Sequence, residues 1–165
     1  MGFRESLARN AGTCSTESLK MPKVKKRAKP KVDFERRVTT WIGRLHELYQ
    51  QIQDWLRVHP DWVSSLTETP QRREEILERA KIAPRFVPVL TLVKGRTTVQ
   101  FVPNALWVIG ANGRVDIASR NRVYTLVDRA DDDAAARDWQ IVIPENRKIL
   151  LPFDRAALSL LLSGQ

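Results

Sequence analysis

An α+β fold is predicted for residues 32–165 of this 165-residue chain, and three observations predict it. Apolar residues repeat at steps of three and four over residues 34–56, then alternate with a period of two from Arg85 onward. The connections between successive alternating runs are only a few residues long. Such short links join antiparallel neighbours, because parallel strands need long crossovers. The expected layout is a long N-terminal amphipathic helix, a short second helix, an antiparallel meander of about six strands and a short C-terminal helix. Helices then pack on one face of the sheet.

The first helix carries Val38, Trp41, Ile42, Leu45, Leu48, Tyr49, Ile52, Trp55 and Leu56 on one stripe. Arg36, Arg37, Arg44, Glu47, Gln50, Gln51, Asp54 and Arg57 are read on the other side. Asp33 is the expected N-cap, and His59-Pro60 closes the helix, since a residue before proline avoids helical geometry. The stripe covers about three heptads, enough either to pack on a sheet or to form a homodimer seam; packing on a sheet is the favoured reading. Thr69-Pro70 reads as a cap followed by proline at the first helical position, which predicts a second helix over residues 71–83 that stops at Pro84.

Strand-like alternation then covers residues 86–93 and 98–102, joined around Lys94-Gly95-Arg96. Runs at 106–109 and 114–118 flank Ala111-Asn112-Gly113, and Asn-Gly between apolar runs is a strong hairpin signal. Arg120-Asn121 turns into a strand over 123–127. After an acidic loop, Trp139, Ile141 and Ile143 alternate, and residues 144–147 turn into a last strand over 148–151. Asp154 caps a closing apolar helix over residues 155–162. Trp41, Trp55 and Trp139 are read as core. Trp62 and Trp107 are also read as core, with an interface anchor as the alternative.

Charge separates the chain into an arm and a body. Residues 1–31 hold nine Lys/Arg against two Glu, whereas residues 32–165 hold nineteen against seventeen Asp/Glu. The basic pI therefore belongs to the arm, and the near-neutral body argues against a large nucleic-acid-binding face. Residues 21–31 contain six positive charges, two prolines and no acid. Like-charge repulsion keeps such a stretch extended and disordered. Lys23, Lys25, Lys26, Arg27, Lys29 and Lys31 are the candidate phosphate contacts, with a solubilising tail as the plainer role. Residues 1–20 are patternless, and Met21 is a candidate translation start.

One cysteine, Cys14, excludes an internal disulfide framework and fits a reducing compartment. No apolar run approaches the roughly 18–20 residues of a membrane span, and no secretory signal is evident, so a cytoplasmic protein is expected. His46 and His59 have no partner at zinc-ligand spacing. Ser64-Ser65 lack a nucleophile-elbow context, and Gly110 and Gly113 do not extend to a phosphate loop. No cofactor is expected.

The string Gly110-Ala111-Asn112-Gly113-Arg114-Val115-Asp116-Ile117, followed by Val123-Tyr124-Thr125-Leu126-Val127-Asp128, resembles the core of the PD-(D/E)XK nuclease superfamily. That resemblance covers about twenty residues and implies that Asp116 and Asp128, with Glu47 from the helix, would hold a divalent metal for phosphodiester attack. At the position of the family's lysine this chain has Ala130, with Arg129 one place before. The reading taken forward is therefore a non-enzymatic binding or accessory protein without catalytic residues. Its arm contacts nucleic acid or another polyanion and its body contacts a protein partner; the metal-dependent nuclease and the homodimer stand as alternatives.

Overall fold

The computed structural model describes residues 33–120, 122–131 and 136–164. The chain divides into two units, Met1–Lys31 and Val32–Gln165. The basic arm, and with it Lys23 to Lys31, lies outside the described residues. The described residues of the second unit have α+β architecture, with three helices and one antiparallel sheet of seven strands in the order β1 to β7.

Helix α1 spans Phe34–Leu56, and Asp33 caps it by accepting from the Arg36 N–H at 3.0 Å. Its buried residues are Val38, Trp41, Arg44, Leu45, Leu48, Tyr49, Ile52 and Leu56. They meet Leu90, Leu92, Val99, Phe101, Val115, Ile117 and Leu126, which alternate along four strands so that every second side chain enters the core. The apolar stripe is thus packed against the chain's own sheet. Tyr49 fixes the helix over the sheet by donating its hydroxyl to the Phe101 carbonyl at 3.0 Å.

Strand β1, Val63–Pro70, was not expected. The proline that seemed to open a helix is the last residue of an edge strand, paired with Phe86. Proline is tolerated there because its missing N–H can lie on the side away from the ladder. An exposed edge strand buries little, so it shows no apolar alternation to read. The second helix, α2, is only Glu75–Arg79, shorter than the expected 71–83. It stops in a Schellman motif. Lys81 adopts φ +58, its N–H bonds the Glu78 carbonyl, and the Ile82 N–H bonds the Leu77 carbonyl.

Strands β2 (Phe86–Lys94) and β3 (Thr97–Ala105) follow the expected pattern. The expected strand over 106–109 is instead a loop, pinched by a single bridge between Val108 and Ala111, so the turn falls at Ile109-Gly110 and not at Asn112-Gly113. The cause is local. The Glu74 carboxylate accepts from the N–H groups of both Leu106 and Trp107 at 2.8 Å, which draws this segment off the ladder. Gly113 serves close packing instead of the turn. With φ +145, it lets the Trp41 ring come within 2.2 Å of where a β-carbon would stand.

The meander continues through β4 (Arg114–Ser119), β5 (Arg122–Asp128), β6 (Trp139–Ile143) and β7 (Asn146–Pro152). Helix α3, Arg155–Ser163, is capped by Asp154, which accepts from the Ala157 N–H at 2.9 Å. It packs beside the end of α1, where His59 Nε2 and Ser159 Oγ lie 2.9 Å apart. Trp62 is buried, and Trp107 is half-buried, stacked on Phe34 with the Arg37 guanidinium 4.2 Å over its ring. No helix among the described residues is long and apolar enough to cross a membrane.

Candidate functional site

The three acids suggested by the nuclease resemblance do not converge. Asp116 pairs with Thr125 across β4 and β5, so these two share one face of the sheet. Asp128 lies three residues beyond Thr125 on β5, and strand alternation turns it to the opposite, helix-covered face. Glu47 lies on the exposed side of α1, where both its oxygens are engaged by Arg137 at 2.8 and 3.4 Å. That carboxylate holds the Arg137 guanidinium above its ordinary pKa. Among the described residues, no three His, Cys, Asp or Glu side chains gather where they could hold a metal ion.

Each of these acids is occupied by the fold. Asp128 is fully buried, and its Oδ2 accepts from Arg44 Nη1 at 2.9 Å. Its Oδ1 accepts from the N–H groups of Ala130 (3.1 Å) and Asp138 (3.3 Å), which fastens both ends of the acidic loop. Arg44, assigned by sequence to the polar side of the helix, is therefore a core residue. The signal was there to find: Arg44 stands three residues after Trp41 and four before Leu48, inside the apolar arc. Asp116 accepts from Arg114 Nε at 2.7 Å, from Thr125 Oγ1 at 3.3 Å and from the Asn104 amide. Arg72 in turn donates to Asn104, so a polar chain crosses the outer face of the sheet.

Three surface features remain uncommitted to the core. The first is strand β1. All eight of its residues pair with β2 without a register shift, and all but Ser64 are exposed, including Val63 at 66% and Leu66 at 46%. As the terminal strand of the sheet it turns its other backbone edge outward. The second lies at its end, where residues Gln71 to Glu74, α2 and residues 82–84 enclose a hollow of about 160 Å³. Gln71 lines it and is buried, and its Nε2 has no hydrogen-bond partner among the described residues. A space of this size admits one side chain and is small for a cofactor. The third is a row of cations on the turns joining β2 to β3, β4 to β5 and β6 to β7. Neither β1 nor this row is visible without the strand order, because each is assembled by the sheet. Compared with known protein families, curated proteins and solved structures, the chain matches none.

Proposed function

We propose that this chain is a non-enzymatic binding or accessory protein whose body captures an extended segment of a protein partner along β1, while its basic arm contacts nucleic acid. The observation that carries the protein-binding half is the contrast between the two edges of the sheet. Edge strands invite pairing with other chains, and folds usually blunt them with cations, bulges or proline. The β7 edge is blunted by Arg147 and Lys148 and by a register shift in its pairing at Val142/Ile143. The β1 edge has no Lys or Arg, and proline appears only at its end. A partner strand added there would gain main-chain hydrogen bonds, and the hollow beside Gln71 would accept one of its side chains.

The nucleic-acid half draws on the six cations of residues 23–31, which would give affinity independent of base sequence and steeply dependent on salt. The protein-binding half is tested by placing a photo-crosslinking side chain at Thr67 of the full-length protein in cells. A discrete adduct, lost when Ser65→Lys is added, is expected. Adducts no stronger than those from a label at exposed Lys81 would overturn the reading. An adduct to a second copy of the chain would identify the partner as the protein itself.

A further inference from the structure

In a seven-strand meander the connections alternate between the two ends of the sheet. The turns joining β2 to β3, β4 to β5 and β6 to β7 therefore share one end. Those turns carry Lys94, Arg96, Arg120, Arg122, Arg147 and Lys148, all exposed, and a single acid, Glu145. The rest of residues 32–165 holds thirteen Lys/Arg and sixteen Asp/Glu, so the near-neutral total conceals a segregated charge.

The turns lie side by side. Arg120 Nη2 donates to the Arg96 carbonyl at 3.4 Å, linking the first turn to the second. Arg122 donates to the Tyr124 hydroxyl at 3.4 Å. Its pKa is raised chiefly by that contact and more weakly by Glu145, a neighbour on the third turn. Lys94 is paired with Asp61 at 3.2 Å. Among the described residues Arg96, Arg120, Arg147 and Lys148 form no ion pair. Strands about 4.8 Å apart set alternate turns about 10 Å apart, so the row is about 20 Å long. Duplex DNA presents roughly twelve phosphates over that length. Unpaired like charges on adjacent turns disfavour the compact state unless a polyanion offsets them.

We propose that this row of turns is a second phosphate-binding surface, built by the fold itself, that holds a nucleic-acid backbone. Four of the six cations are arginines, whose planar guanidinium matches a phosphate with two hydrogen bonds. Between them stand Gly95, Thr97, Ser119, Pro144 and Asn146; exposed Val93, Val123 and Ile149 adjoin the row, so vesicles are included among the probes. The surface shares its ligand class with the proposed arm, rests on the reading that this protein contacts nucleic acid, and is built from different residues.

The test uses full-length protein, labelled 20-base-pair DNA and 20-nucleotide RNA, and a salt series read by fluorescence anisotropy, with phosphatidylserine vesicles as a third probe. One variant carries Arg96→Gln, Arg120→Gln, Arg122→Gln and Arg147→Gln; a second neutralises the six arm cations to Gln. These four arginines are exposed, so an unchanged melting temperature verifies the fold. The turn variant is expected to lose about tenfold or more in affinity, with a log–log salt slope shallower by up to about 3.6 on duplex. The same loss when the arm variant binds like the wild type would support the turns and remove the arm. A turn variant matching the wild type while the arm variant weakens would overturn this proposal and leave the arm reading standing. Wild-type protein that binds neither nucleic acid at low salt would overturn both. Loss confined to the vesicles would overturn it in favour of a membrane surface.

Discussion

Arg44 Nη1 lies 2.9 Å from Asp128 Oδ2, and both side chains are buried, so one ion pair ties the middle of α1 to the last residue of β5. Removing either partner takes away the other's counter-charge in the core. Asp128→Asn and Arg44→Met are each expected to lower stability by about 3–5 kcal/mol in urea denaturation. The double variant Arg44→Met/Asp128→Leu is expected to cost less than the two single changes together, because no buried charge remains. Its residual loss measures what the Asp128 bonds to Ala130 and Asp138 contribute.

Gly113 and Gly95 both have positive φ, but only one is crowded. Gly95→Ala meets no atom within 4 Å and is expected to cost about 1 kcal/mol from backbone conformation alone. Gly113→Ala drives a methyl group into the Trp41 ring and should cost distinctly more, about 3 kcal/mol or above, with a changed tryptophan emission spectrum. Equal losses from the two substitutions would refute the proposed packing.

The Glu74 carboxylate holds the backbone of Leu106 and Trp107 through two hydrogen bonds. Glu74→Ala removes a charged acceptor from two partly buried donors and is expected to destabilise by about 2–4 kcal/mol. Amide exchange at Leu106 and Trp107 should rise more than at Phe101, which locates the effect in the loop.

Tyr49 is neutral in the folded protein, and burial pushes its phenol far above the usual value of 10.0. The unfolded chain loses this proton near pH 10 and the folded chain does not. Tyr49 therefore contributes full stability below about pH 10, and that contribution falls as pH rises further, by about 1.4 kcal/mol per pH unit. Tyr49→Phe should flatten the alkaline limb of a stability–pH curve while leaving its shape below pH 9 unchanged. Below about pH 9 it should also cost about 1 kcal/mol, since the Phe101 carbonyl loses its donor, and that cost should shrink as pH rises above about 10.

Much of the architecture is legible in local residue order. The 34–56 stripe announces a helix because its period is set by backbone geometry, and Asp33 and Asp154 announce its start and that of α3 because a side-chain oxygen reaches a nearby orphan N–H. Alternation marks β2, β3, β4, β5 and β6 for the same reason, since each places side chains in the core. Strand β1 escaped because an edge strand owes its conformation to the β2 backbone beside it and not to its own side chains. The loop over 106–113 escaped because the group that bends it, Glu74, is over thirty residues away. Arg44 and Asp128 are separated by 84 residues, and only the packing of α1 across β5 makes them partners. Net charge is likewise a sum over composition, whereas the cationic row depends on strand order. A meander folds three distant turns onto one end of a sheet, and that juxtaposition is decided by tertiary structure alone.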